Sequence, residues 1–501
     1  MLQPCRPDAI TMPNDIDITV FDAIRALAFI GDLSMGQPTD HSLRTAWLAG
    51  TIAAAAGCEM RQVEAARHVA LLRWSGCTAN AQEFTDFLDD DIRGRQALLA
   101  ARKSRMHQPN RSTPLPVGIL SIAKIHCEIA GDIANLLGLS PDAEAALRSV
   151  FETYDGGGVP GVLQGKDVPL ATYVVALASD IEVFSRLYGL EDALALVRGR
   201  SNGLYPSFLV DASLPLASAW MTELDSPAEP WADVAEQPAS VQRRIGLELV
   251  GDVIDLKLPW MTGYSRRVAK LARDCCARIG LDEPRRHRAY KAGLIHGIGR
   301  PAVPVAIWNA PEPLPASSLE RLRLVPYWTS RAARHIEGLA VEAEFASFAF
   351  ERRDGSGYFR GRSGAQMPLE GQIVAAAEQW VSHRTRRPWR PELTEVQALD
   401  SMTKDVAAGR FDHAVVSALL TCVLERETAR VAAPAHDDQP ISQRELEVLR
   451  CISLGDNTKQ IARALHISPR TVRTHVERLF LKLNCSTRAA ATLKASTRGL
   501  I

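Results

Sequence analysis

The residues best equipped for chemistry fall near the end of the chain, between Lys459 and Lys482. Ser468 followed by Pro469 reads as a helix N-cap with proline at the first helical position, where its missing N–H would be an orphan anyway. In the helix that follows, Val472, Val476, Leu479 and Leu483 recur at helical spacing on one face, which leaves Arg470, Arg473, Thr474, Glu477 and Lys482 pointing largely elsewhere. An arginine on such a face can bond guanine in two places and a glutamate can accept from cytosine, so Arg473, Thr474 and Glu477 suit base edges. Lys459, Arg470, Thr471 and Lys482 suit phosphates, as do the free N–H groups behind Ser468, and His475 lies on the same stretch. Residues 441–501 hold 11 Lys and Arg against 4 Asp and Glu, while the whole chain balances 58 against 58. The positive charge is localised where a polyanion would be met.

The elements that must position these residues are legible in the same stretch. Ser442, Gln443, Arg444 and Glu445 form an S-x-x-E capping box, and Leu446, Leu449 and Ile452 give the helix behind it an apolar stripe. Gly455 ends that helix, Asn457 caps a short second one carrying Ile461, Ala462 and Leu465, and His466 and Ile467 turn the chain into the third. A fourth, Thr487 to Ser496, offers Ala490, Leu493 and Lys494 as a small-residue contact for a second copy. Ser442 to Leu449, Lys459-Gln460-Ile461-Ala462, Ile467 to Val476, Lys482-Leu483 and Ser486 to Ala490 together resemble the LuxR-type helix-turn-helix domain. The resemblance implies double-stranded DNA as a partner. Because one such module reads only a few base pairs, it also implies a homodimer on two half-sites.

A length of 501 residues and an apolar fraction of 46% allow about three domains with ordinary cores. Met1 to Val20 has no apolar signal-peptide region, and no later stretch approaches the length of a membrane span, so a cytoplasmic protein without a membrane partner is expected. The nine cysteines are odd in number and scattered, with no C-x-x-C, which predicts reduced thiols. Two stretches rich in proline, alanine and acid, 225–240 and 431–440, read as linkers. They divide the chain into blocks 1–224, 241–430 and 441–501. The two large blocks read as mostly helical, with helices over Leu43–Ala56, Leu247–Leu256 and Ser265–Ile279 and few stretches that alternate like strands.

Those two blocks repeat one another. Asp155-Gly156-Gly157-Gly158 and Asp354-Gly355-Ser356-Gly357 are each followed by Pro-Leu after 14 residues. His41 precedes Arg73 by 32 residues, as Tyr264 precedes His296, and His126 precedes Phe151 by 25, as Val325 precedes Phe350. The first block carries 24 extra residues, expected as a surface insertion within Asp89 to Arg111. The glycines are expected to persist because their loops need positive φ.

Both blocks resemble the HD-GYP subclass of HD phosphohydrolases, the second closely. The match rests on Asp255-Leu256-Lys257, Gly263-Tyr264-Ser265, His296-Gly297-Ile298-Gly299, Val303-Pro304, Val325 to Thr329, Glu351 to Tyr358, Arg387 to Pro391 and Phe411-Asp412, in the family order. The resemblance implies an all-α fold: two HD-like helical bundles followed by a four-helix LuxR-type domain. It also implies histidines and aspartates holding two or three divalent metals that activate water for phosphodiester hydrolysis. Here those positions are emptied. In the second block they read Tyr264, His296-Gly297, Val325, Ala349-Phe350 and Glu378; in the first they read His41, Arg73-Trp74, His126, Val150-Phe151 and Ser179. The vestiges His41, His126, His296 and Glu378 fall short of a transition-metal site, and no bridging carboxylate remains. The expectation is a DNA-binding transcription regulator whose HD-like blocks sense or dimerise without catalysis, with no cofactor. The alternative is a metal-dependent phosphodiesterase of cyclic dinucleotides, and a third reading has the altered pocket binding a small-molecule or nucleotide effector.

Overall fold

The computed structural model describes residues 17–100, 117–227, 229, 242–311, 313–432 and 441–501. Most of both linker stretches lies outside these residues, as does the 101–111 part of the insertion. The fold is helical, as expected. In the first block, α1 (Val20–Met35), α2 (His41–Ala55), α3 (Met60–Leu72), α4 (Asp91–Ala100), α5 (Val117–Leu136) and α6 (Leu170–Tyr188) are the elements that matter for the site. In the second, they are α7 (Glu248–Asp255), α8 (Tyr264–Ile279), α9 (Glu283–Ile295) and α10 (Leu369–His383). The C-terminal module is α11 (Gln443–Ser453), α12 (Thr458–Ala464), α13 (Pro469–Leu483) and α14 (Arg488–Thr497). None of the described helices is long and apolar enough to cross a membrane, and the described cysteines are free thiols.

The internal repeat is visible atom by atom. Asp32, on α1, accepts from the Ser42 amide at 3.1 Å and hydroxyl at 2.6 Å, capping α2 from the side. Asp255, ending α7, does the same for α8 through Ser265, at 2.8 Å twice. Glu152 takes the amides of Gly161 and Val162, and Glu351 takes those of Arg360 and Arg362, so each block clamps its glycine loop with one buried carboxylate. Positive φ explains only part of the glycine pattern. Gly156 and Gly355 have φ of 75° and 80°, but Gly158 and Gly357 are needed for close approach: a Cβ there would lie 2.5 and 2.4 Å from the Cα atoms of Glu152 and Glu351.

Two features tie the blocks together. A short antiparallel pair joins β1 (Asp17–Thr19) to β2 (Arg244–Gly246), in the register Asp17 to Gly246. The second corrects the expectation of a surface insertion. The described part of that stretch forms α4, and its Asp91 and Arg95 are fully buried. Asp91 Oδ2 meets Lys257 Nζ of the second block at 2.7 Å, Asp91 Oδ1 accepts from the Val305 amide at 2.9 Å, and Arg95 lies 3.3 Å from the same carboxylate. One contiguous apolar core runs through both blocks and includes Ala490 and Leu493 of α14, while the C-terminal module has its own core around Val448, Ile461, Val472 and Leu479.

Candidate functional site

In the second block, α8, α9 and α10 bring Tyr264, His296 and Glu378 to the centre where the resemblance would place metals. The Tyr264 hydroxyl donates to Glu378 Oε1 at 2.8 Å. His296 Nδ1 donates to the Gly293 carbonyl at 2.6 Å, and Arg300 Nη2 donates to His296 Nε2 at 2.6 Å. Both imidazole nitrogens are therefore committed. Burial, and then the nearby Arg300 cation, push the His296 pKa well below its ordinary value and keep the ring neutral. Arg300 is itself buried, with its guanidinium 4.9 Å from the Tyr264 ring centre and 3.8 Å from Asp255. Burial pushes the Asp255 carboxyl up to about 7, against the pull of Arg300 and Ser265. Gly297 is the telling neighbour: a Cβ there would come within 2.3 Å of Arg300 Nη1, so the guanidinium fills the space that a side chain at 297 would need.

The first block reaches a different arrangement. His41 Nδ1 lies 2.6 Å from Glu182 Oε2, with Arg186 at 3.3 Å and Arg44 at 3.5 Å from the other carboxylate oxygen. Burial alone would push Glu182 up, but His41 and Arg186 hold it down at about 2; burial pulls His41 down, yet Glu182 leaves it raised. His126 Nε2 donates to the Arg73 carbonyl at 2.7 Å, its Nδ1 faces Cys77 Sγ at 3.8 Å, and burial lowers its pKa to about 4. The Arg73 guanidinium lies 4.4 Å from the Trp74 ring centre, and Phe151 packs 4.9 Å from the His126 ring.

A pair of divalent metals does not fit either centre. His296 Nε2 and the carboxylates of Glu378 and Glu182 are engaged by protein donors, His41 is held by Glu182, guanidinium cations lie in or beside both centres, and the three histidines sit in three separate hydrogen-bond sets. Among the described residues, no three His, Cys, Asp or Glu side chains gather to hold a metal. Sequence reasoning missed Arg300 and Glu182. The signal for the first was its nearness in the chain, since Arg300 follows His296 by four residues across a turn.

The C-terminal module places most of its expected face in solvent. Ser442 and Glu445 close the capping box, with Glu445 N to Ser442 Oγ at 3.3 Å and Ser442 N to Glu445 Oε2 at 2.8 Å. Asn457 and Ser468 cap α12 and α13 at 3.0 Å. Lys459, Ser468, Arg470, Thr471, Arg473, Thr474 and Glu477 are exposed, and His475 is half-buried. Lys482 is exposed as well, with its ammonium paired to Glu445 at 2.6 Å. The fourth helix differs from the expectation. Its Ala490 and Leu493 are buried against the HD-like core, Lys494 pairs with Asp132 of α5 at 3.0 Å, and Ser496 Oγ donates to Asp252 of α7 at 2.8 Å. Ser486 Oγ donates to Glu128 at 3.1 Å, Thr262 Oγ1 to the Ser453 carbonyl at 2.6 Å, and Arg386 pairs with Asp456 at 3.0 Å.

Comparison with known families agrees with these two geometries. Residues 248–415 match the HD domain model, and residues 439–495 match that of bacterial regulatory proteins of the luxR family. The chain carries an HD domain and a LuxR-family DNA-binding domain. The HD region is related to the 3'3'-cGAMP-specific phosphodiesterase 3 of Vibrio cholerae, 23% identical over 415 residues, covering 75% of this chain and 88% of that one. A crystal structure of the cyclic GMP-AMP specific phosphodiesterase V-cGAP3 of V. cholerae matches with a TM-score of 0.59 at 19% identity, over 81% of this chain and 98% of that chain, which shows the shared fold. The LuxR-family domain is 41% identical over 97 residues to the probable transcriptional regulatory protein NarL of Mycobacterium tuberculosis, covering 19% of this chain and 43% of that protein.

Proposed function

We propose that the protein is a cytoplasmic transcription regulator in which two catalytically silent HD-like blocks, within 1–224 and 241–430, hold and release the DNA-binding module 441–501. The observation that carries the silent centre is Arg300 seated on His296 Nε2, a fixed cation where a metal would bind. On DNA, Arg473, Thr474 and Glu477 face base edges, with Ser468 and His475 beside them, while Lys459, Arg470, Thr471 and Lys482 hold phosphates, Lys482 by leaving its pair with Glu445. A homodimer reads two half-sites, and formation of a dimer through Ala490, Leu493 and Lys494 requires α14 to leave the HD-like core. The relation to cGAMP phosphodiesterases favours one competing reading, a metal-dependent hydrolase of cyclic dinucleotides. Purified protein supplied with manganese or ferrous iron and 3'3'-cGAMP separates the two. The silent reading expects no turnover and substoichiometric metal; metal-dependent turnover abolished by His296→Ala restores the enzyme.

A further inference from the structure

A cavity of about 370 Å³ lies where the second block meets the LuxR-family domain. Its lining includes Trp260, Thr262, Arg267, Arg384, Thr385 and Arg386, together with Leu454 of the DNA-binding module. The volume falls within the ordinary range of small-ligand sites. Its charge is uneven. Arg267 Nη2 donates to Thr385 Oγ1 at 3.1 Å, and Arg384 Nη1 donates to the Leu393 carbonyl at 2.5 Å, so both guanidinium groups are bonded here through neutral oxygens. Arg386 is the wall arginine with an ion-pair partner, Asp456 of the DNA-binding module, at 3.0 Å. Arg387, bonded to Ser382 at 2.7 Å and lying 4.9 Å from the Trp260 ring centre, adds a fourth cation behind the wall. Two carboxylates attract Arg267: Asp255, outside the lining, and Glu392, exposed within it.

We propose that this seam cavity binds a small phosphate-bearing anion, held by Arg267 and Arg384, and that its occupancy loosens the docked DNA-binding module. The guanidinium fork matches phosphate oxygens in two places, and a dianion supplies the countercharge that the neutral oxygens do not. Arg386 joins the two halves of the argument. An anion in the cavity competes with Asp456 for its guanidinium, which weakens one of the contacts closing the seam. By linkage, DNA and the anion then favour each other's binding. This regulatory consequence rests on the regulator reading above; the binding site itself does not.

Calorimetry on the full chain at fixed ionic strength, with inorganic phosphate and with adenosine 5′-monophosphate as probes, tests the site without any DNA present. Saturable binding at one site per chain is expected, weakened about tenfold or more by Arg267→Ala and by Arg384→Ala. Glu392→Gln should bind at least as tightly as the parent. Unfolding curves of the ligand-free variants that match the parent's exclude a folding defect, and partial recovery in Arg384→Lys identifies the charge as the cause. Tighter binding of the nucleotide assigns the source to a nucleotide phosphate, and equal binding assigns it to free phosphate; either supports the proposal. Binding by neither probe, or binding unchanged in the Arg267→Ala, Arg384→Ala double variant, overturns it. Failure of the chain to bind any DNA would instead defeat the regulator reading and leave the calorimetry standing.

Discussion

Removing two carboxylates from α5 should raise the affinity of the chain for DNA without touching the DNA-binding module. Asp132, mostly buried, pairs with Lys494 at 3.0 Å and with Arg148 at 2.8 Å, and Glu128 accepts from the Ser486 hydroxyl at 3.1 Å. Asp132→Ala leaves Lys494 with the Asn484 carbonyl at 2.6 Å, so the ammonium is not stranded, and the loss is that of one partly buried charged contact, about 1–3 kcal/mol. Glu128→Ala removes a more exposed contact of about 0.5–1.5 kcal/mol. Together they favour the released module by about 2–4 kcal/mol, allowing for imperfect additivity. If release limits binding, apparent affinity rises by the same factor, about 30-fold to several hundred-fold, until the released state dominates. Fluorescence anisotropy on a site selected from random DNA measures the affinity, and hydrogen exchange of α14 reports the release. An α14 that exchanges faster in the double variant, beside an unchanged DNA affinity, would refute the holding role of the HD-like blocks.

The DNA contacts separate by chemistry: Arg473→Ala should cost about 1–3 kcal/mol on the selected site and relax preference at one base pair, whereas Arg470→Ala should weaken all sequences alike and flatten the salt slope by about one unit. Competition binding against base-substituted sites distinguishes these, and an unchanged preference in Arg473→Ala rejects the assigned orientation. At the seam between blocks, Asp91→Ala leaves Lys257 with the Pro301 carbonyl at 3.3 Å, beside the buried Arg95. A loss of about 3–5 kcal/mol in denaturant unfolding is expected, and a second change, Lys257→Met, should recover part of it. Purely additive losses would mean the pair is not coupled. Burial raises Asp32 and Asp255 to about 7, so each is neutral in the folded chain at a pH where the unfolded chain ionises it. Their stabilising contribution is complete below the unfolded value of about 4 and is lost as pH rises to about 7, at up to about 1.4 kcal/mol per pH unit for each group. The raised pKa of His41 acts in the same direction at higher pH, while Glu182, held at about 2, contributes stability above its unfolded value that is lost only on acidification. Asp255→Asn should flatten the fall measured by denaturant titration between pH 4 and 7; a slope equal to the parent's would show that Asp255 does not titrate there.

What could be read from the sequence was what is local. Ser442 with Glu445, Asn457, and Ser468 with Pro469 act within a turn of themselves, and each caps the helix assigned to it. The same holds for the repeated loops, whose carboxylate and glycines lie within eleven residues of their partners. The unreadable features are those whose meaning depends on a distant partner. An acidic-then-basic stretch near Asp89 looks like a solvated insertion because like stretches usually are, and only Lys257, 166 residues away, makes Asp91 a buried seam residue. Lys482 reads as a phosphate ligand because its helix is basic, and its ion pair with Glu445, 37 residues earlier at the start of the module, is not visible in that pattern.

Arg300 is the intermediate case, and it explains why the emptied centre remains a folded one. The centre where the family resemblance would place further metal ligands, at 297, 325 and 349, is filled, although Arg300 Nε and Nη1 are themselves buried without a hydrogen-bond partner. One arginine occupies the space opened at Gly297, donates to the stranded imidazole and lies over Tyr264, whose hydroxyl in turn engages Glu378. The first block uses another route to the same end, pairing His41 with Glu182 and closing the remainder with Trp74 and Phe151. Different side chains fill the two centres, as the regulator reading proposed above expects of a scaffold used apart from hydrolysis. On that reading, the surface that α5 and α7 present to α14, through Asp132 with Lys494 and Asp252 with Ser496, is where the module is held.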